Sequence, residues 1–337
     1  MSSDDHNEGE RDIIDVLRSA GRRREPPPEL MQSVRFAVEM EWRAAVTRRR
    51  RLRRSVGMGV SVAAAIVVAA AVAWTYRALV SPAEEVANVS LVSGSVRARV
   101  GVFTGWQPLA AHAPVRVHER LATGPQGRAA LSLPHDVSLR LDHDTRVRIE
   151  ASGRITLEAG AVYVDAGPGP ARGSRGLQIA TPFGILRHVG TQYQARLGAT
   201  GVRVAVREGA IELDTSGGAR QRANAGEQML VSSTGVVSRS AISPYDESWS
   251  WTSTVAPGFS IDGHTVSEFL AWAARELGRD VVFADRAAES EASRVRLSGS
   301  IAGLTPSDAL AAVLPTTGLR SELRGGKMLI SVSTAAD

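Results

Sequence analysis

The chain has 337 residues, a net charge of +5 and no cysteine. That length provides for two or three domains, and the missing cysteine excludes disulfides, thiol nucleophiles and thiolate metal sites. The positive balance does not point to a nucleic-acid partner, because residues 81–337 hold 26 basic and 25 acidic groups and are close to neutral.

The N-terminal 54 residues carry thirteen arginines against ten acidic residues, with most of the acids early and seven of the arginines at or after Arg43. Asp12 to Ala20 has apolar residues at helical spacing, and Pro26, Pro27 and Pro28 then break the chain. A second helix is predicted from Glu29. Leu30, Val34, Val38 and Trp42 recur four residues apart along one stripe, with Arg35, Glu39 and Arg43 away from it. Two short helices cannot bury two such stripes alone. The stripe therefore fits a segment that folds on a cytoplasmic partner, with Trp42 as its anchor. A helix lying on a membrane and a self-paired helical hairpin are the alternatives.

Val56 to Trp74 is an uncharged run of nineteen residues. As a helix it would be about 28 Å long, close to the thickness of a bilayer's hydrocarbon core. Arg48, Arg49, Arg50, Arg51, Arg53 and Arg54 crowd its N-terminal side, whereas Arg77, Glu84 and Glu85 follow it. Positive-inside topology predicts a cytoplasmic N-terminus and an external region after about residue 81. A cleaved signal peptide would have its apolar core much nearer the start.

From Asn88 to Val237 the period changes from helical spacing to alternation. Val137, Leu139 and Leu141 alternate with polar residues, as do Val147 with Ile149, Ile155 with Leu157, Val162 with Val164, and Val202 with Val204 and Val206. Short alternating runs separated by turn residues predict an all-β domain. ITLEAGAVYVD (155–165) and VAVREGAIELD (204–214) form a repeat, loosely matched by VSLVSGSVRA (89–98). Gly94, Gly160 and Gly209 suit the left-handed position of hairpin turns, so stacked hairpins in a β-roll or a sandwich are expected.

GRAALSLPHDVSLRLDHDTRVRI, LEAGAVYVD, IATPFGILRHVGTQYQARL, VAVREGAIEL and ANAGEQ resemble the FecR family of transmembrane anti-sigma regulators over roughly residues 88–235. The resemblance implies a periplasmic sensor whose cytoplasmic tail binds an extracytoplasmic-function sigma factor. The chain departs from the family's N-terminal pattern of several tryptophans, since residues 1–54 contain only Trp42. Some relatives of this kind are cleaved at a Gly-Thr bond, which makes Gly190 and Thr191 the candidate self-cleavage junction. A threonine hydroxyl can attack the preceding carbonyl, and glycine leaves that carbonyl uncrowded. Strand alternation sets His188 on the opposite face from Thr191. The structural alternative is a glycine bulge followed by an ordinary strand residue.

Ser240 to Gly258 reads as a linker whose Trp249 and Trp251 pack it onto a neighbouring domain. Residues 259–333 read as α+β. Thr265 to Glu268 is a capping box, a helix follows with Gly278 as its stop, and Thr305-Pro306 opens another. Strands are expected at Phe259–Ile261, Val281–Phe283 and Val295–Leu297, with a hairpin through Gly325-Gly326. TVSEFLAWAARELGRDVVF and LSGSIAGLTPSDALAAVL resemble the short N-terminal domain of secretins and TonB-dependent receptors, a protein-docking module.

The expected architecture is thus a multidomain membrane protein. It comprises a cytoplasmic helical tail (1–54), one transmembrane helix (55–80), a periplasmic all-β domain (81–239), a linker (240–258) and a small C-terminal α+β domain (259–333). The expected role is a single-pass inner-membrane anti-sigma regulator, not an enzyme, without a metal or cofactor. Its expected partners are a sigma factor, the signalling domain of a TonB-dependent receptor and membrane proteases that release the tail. The other reading is a membrane-tethered structural or envelope-binding module that binds no sigma factor.

Overall fold

A computed structural model describes residues 27, 31–43, 67–71, 84–101, 104–167 and 176–333, with residues 188–189 described by their backbone alone. The chain divides into two compact units, Met1–Pro82 and Ala83–Asp337.

In the first unit, residues 31–43 form α1 and residues 67–71 form α2. Every described residue of α1 is exposed, with Val34, Val38 and Trp42 at 56%, 62% and 68%. Glu39 and Arg43, one turn apart, form an ion pair at 2.7 Å. Leu30, the expected helix near Asp12 and the run from Arg48 to Arg54 lie outside the described residues.

The expectation of a membrane protein built on one spanning helix is corrected here. Among the described residues, no helix is long and apolar enough to cross a membrane, and of residues 56–74 only 67–71 are described. The described chain is mainly β, and its largest element is a single folded-over sheet.

That sheet has fifteen strands: β1 (Glu85–Ser93), β2 (Val96–Val100), β3 (Gln107–Pro108), β4 (Pro114–Arg116), β5 (Glu119–Thr123), β6 (Arg128–Leu133), β7 (Val137–Leu141), β8 (Arg146–Ala151), β9 (Arg154–Asp165), β10 (Gln178–Thr181), β11 (Gly184–Leu197), β12 (Gly201–Thr215), β13 (Arg220–Asn224), β14 (Glu227–Ser232) and β15 (Val237–Ala241). The expected hairpins at the repeat glycines are not formed. Gly160 and Gly209 lie inside the continuous strands β9 and β12. The first half of β9 pairs with β8 and β10, and its second half with β7 and β11. Likewise β12 pairs first with β14 and then with β13.

Each long strand therefore changes neighbours at its glycine, and the sheet closes over one core. Val147, Leu157, Ile179 and Ile211 come from one part of the sheet, and Leu131, Leu139, Val164 and Tyr193 from the other. Gly160 has φ +81°, and a Cβ there would lie 2.4 Å from Thr145 Oγ1, so only glycine permits the bend. A left-handed glycine within alternating residues serves a hairpin turn or a strand bend equally well.

The segment after β15 packs back on the sheet. Trp249 and Trp251, the latter in α3 (Ser250–Ser253), are buried with Ala130, Tyr163, Ala205 and Val255 in a second apolar cluster. A lobe follows, made of α4 (Val266–Leu277), β16 (Asp280–Phe283), α5 (Arg286–Arg294), α6 (Pro306–Val313), β17 (Leu319–Arg324) and β18 (Lys327–Val332). Its sheet runs β16-β18-β17, with the first pair parallel and the second antiparallel. The Thr265–Glu268 capping box is present, and Gly278 ends α4 in the left-handed conformation. Phe259–Ile261 is not a strand, and Val295–Leu297 contributes only an isolated bridge between Arg296 and Thr265. The lobe's core is built around Phe269, Leu270, Leu310 and Ile330.

Candidate functional site

Gly190 and Thr191 interrupt β11. Val189 pairs with Ala210 of β12, and the next pair is Gln192 with Glu208, so two residues of β11 face Gly209 alone. Gly190 has φ +54°, which makes this a bulge with a left-handed glycine at its first position. Thr191 is only 1% exposed, and its Oγ1 is buried without a hydrogen-bond partner. A hydroxyl left unsatisfied inside a protein costs about 1–3 kcal/mol. The Thr191 carbonyl accepts from the Ala166 amide at 3.1 Å, which ties the bulge to the end of β9. Among the described residues no base is hydrogen-bonded to the hydroxyl, and burial leaves almost no access for water.

Gln192 closes the bulge. Its Nε2 donates to Asp165 Oδ2 at 2.8 Å. Asp165 Oδ1 accepts from the Gly167 amide at 3.1 Å and from Arg275 Nη2, on the last turn of α4. Arg275 Nη1 donates to Glu208 Oε2 at 2.5 Å. Burial would raise the Asp165 pKa, but the Arg275 charge and these hydrogen bonds outweigh it and hold the carboxyl below its usual range. The same two carboxylates hold the Arg275 pKa above its ordinary value despite burial.

A second polar group fastens the lobe to the sheet. Arg140 of β7 and Glu276 of α4 are 0% and 5% exposed and form a bidentate pair at 2.7 and 2.9 Å. Arg140 Nη1 also donates to the Thr252 carbonyl at 2.8 Å, and its guanidinium lies 5.0 Å from the Tyr163 ring centre. Arg207 Nη1 donates to the Glu276 carbonyl at 3.1 Å, and its guanidinium stands 4.8 Å from the Trp249 ring centre. Trp251 Nε1 donates to Gln194 Oε1 at 2.8 Å. Burial pushes the Tyr163 pKa well up, although both arginines oppose the shift, so the phenol stays neutral.

None of Arg140, Asp165, Arg207, Arg275 or Glu276 stands out in the sequence. Arg140 occupies the polar phase of an alternating strand and reads as solvated; only the docked lobe makes that face an interior. Asp142, directly after β7, is almost fully buried and accepts from Arg128 at 3.0 Å and Arg196 at 2.7 Å. The other sequence-derived candidates, Val34, Val38 and Trp42, lie in the first unit on one face of α1. Among the described residues, no group of three or more histidines or acidic residues could hold a metal.

The described residues thus comprise an exposed apolar helix face in the first unit and, in the second, a folded-over β sheet with a clasped α+β lobe. Residues 119–212, from β5 to within β12, match the model of the family described as FecR protein. No curated protein matches the chain. Two crystal structures of a candidate anti-sigma factor from Parabacteroides distasonis ATCC 8503, at 1.65 and 2.50 Å resolution, are similar at 15% identity over 64% of this chain and 99% of theirs. Their TM-scores are 0.35 and 0.34, too low to bear on the fold or the function of this chain.

Proposed function

We propose that the chain is an anti-sigma regulator in which α1 binds an extracytoplasmic-function sigma factor and the second unit receives the signal. The observation that carries this reading is the FecR family match over residues 119–212. The exposed stripe of Val34, Val38 and Trp42 adds support. Three apolar side chains four residues apart, exposed among the described residues, are the pattern by which an amphipathic helix docks in a partner's groove. Trp42 supplies the aromatic anchor that such interfaces favour.

The finer parts of the proposal rest on the sequence. The charge pattern around residues 48–54 supports a cytoplasmic tail and a second unit in the periplasm. The lobe's resemblance to the short N-terminal domain of secretins and TonB-dependent receptors supports docking with a receptor's signalling domain. Proteolysis between the two units would then release the tail with its sigma factor. At the Gly190–Thr191 junction, attack of the Thr191 hydroxyl on the Gly190 carbonyl would form a C–O bond and break the C–N bond. This leaves an ester and a free amine on Thr191. Once the bulge opens to solvent, water would hydrolyse the ester, leaving a carboxylate on Gly190 and restoring the hydroxyl.

The test is transcript profiling of cells lacking residues 1–54 and of cells carrying Val38→Asp in the full chain. The reading expects both changes to alter one set of genes sharing a promoter sequence. An unchanged transcript profile in both would overturn it and favour an envelope-binding module.

A further inference from the structure

We propose that Arg275 couples docking of the C-terminal lobe to the conformation of the bulge at Gly190–Thr191. The residue that closes the bulge, Gln192, pairs in register with Asp165 of β9 on one side and Glu208 of β12 on the other. Arg275 takes both of those carboxylates at once. One guanidinium from the lobe therefore spans three adjacent strands at the bulge. The Gln192 side chain is bonded to the remaining oxygen of Asp165, so the link runs Arg275, Asp165, Gln192 without a gap.

The adjoining residues fix Arg275 in place. Arg207 and Glu208 are neighbours in β12, and Arg275 and Glu276 are neighbours in α4. They are joined crosswise, Arg207 to the Glu276 carbonyl and Glu208 to Arg275. The Glu276 side chain is held by Arg140. When the lobe moves, Arg275 must move with it, and Asp165 loses its cation. The Asp165 side chain is only 10% exposed, and a carboxylate that buried cannot stay charged and unpaired at no cost. It must turn to water or take a proton, and either change weakens its hold on Gln192.

The arrangement also differs from a fastening that merely holds the lobe on. The Arg140–Glu276 pair is sealed inside, whereas Arg275 is 26% exposed on the wall of an open cleft of about 450 Å³. Gln192, Glu208, Tyr245 and Arg279 share that wall. A partner that engages the lobe can thus reach Arg275 without first dismantling the apolar core. The inference concerns strand geometry and holds whether or not the Gly190–Thr191 bond breaks. It is equally independent of sigma binding by α1.

Amide hydrogen exchange on the full chain tests it, reading peptides across residues 186–194 and across α4. Arg275→Ala should speed exchange at 186–194 at least tenfold while α4 stays protected, and Arg275→Lys should restore part of that protection. Gln192→Leu, which breaks the link from the strand side, should loosen the same peptide and leave the lobe unchanged. Protection at 186–194 that is unaltered in both Arg275→Ala and Gln192→Leu would overturn the coupling. So would a uniform rise in exchange across the whole second unit, which would mean simple destabilisation.

Discussion

Removing one partner of the Arg140–Glu276 pair gives the sharpest energetic test of the fold. In Glu276→Leu, Arg140 keeps the Thr252 carbonyl and the Tyr163 ring but loses both carboxylate oxygens at full burial. Breaking a buried pair in this way costs about 3–5 kcal/mol, because a charge is left uncompensated in a low-dielectric interior. Arg140→Met strands the Glu276 carboxylate in the same manner. Each single variant should therefore lose a factor of about 100 or more in the folded-to-unfolded ratio, at roughly 1.4 kcal/mol per decade. The double variant Arg140→Met with Glu276→Leu removes both charges and fills the space with apolar volume. It should fall within about 1–2 kcal/mol of wild type, since such replacements are often neutral. Urea unfolding followed by tryptophan fluorescence measures all three, with buried Trp249 and Trp251 close to the pair. Single losses under about 1 kcal/mol, the range of exposed ion pairs, would refute the burial argument. A double variant as weak as the sum of the singles would refute the pairing.

Three further outcomes follow from individual residues. Asp142 and Asp165 both have pKa values lowered on folding, against the opposing effect of burial. Their stabilisation is complete above the unfolded carboxyl value of about 3.9 and is lost as pH falls through the lower folded values; melting temperature between pH 7 and pH 3 should drop less steeply in the Asp142→Asn, Asp165→Asn double variant. Gly278→Ala should lower the melting temperature clearly more than Gly303→Ala. Both glycines have positive φ, but a Cβ at 278 would lie 2.0 Å from the Pro244 carbonyl oxygen and one at 303 meets nothing within 4 Å; equal shifts would mean that the linker does not press on α4. Thr191→Val should match or exceed wild-type stability by about 1 kcal/mol, because it removes an unsatisfied buried hydroxyl. The same variant should lose any fragment cut at Gly190–Thr191 on electrophoresis, and a fragment that persists would exclude the threonine as nucleophile.

Much of the fold was legible because alternation and helical spacing report burial directly. Val137, Leu139 and Leu141 mark β7, and the capping box at Thr265 and the stop at Gly278 bound α4 as expected. Gly160 and Gly209 misled in one respect, since their left-handed conformation serves a bend in a continuous strand here. α5 escaped notice because only Ala288 and Ala292 are buried along it, too little apolar surface to make a periodic signal. The site was least legible of all. Gly190 and Thr191 could be picked out as a pair, but Asp165, Glu208 and Arg275 lie 110 residues apart at the widest and look like surface charges until the lobe docks. No local pattern encodes a contact whose two faces come from different layers of the fold.

The exposed stripe of α1 is the proposed sigma-factor surface. Isothermal titration of the full chain with the extracytoplasmic-function sigma factor of the same operon or regulon measures it directly. Wild type should form a one-to-one complex, and Val34→Asp with Trp42→Ala should bind at least a hundredfold more weakly. Arg275→Ala should bind like wild type. Equal affinity of wild type and the α1 double variant, or no heat of binding with either, would contradict this assignment.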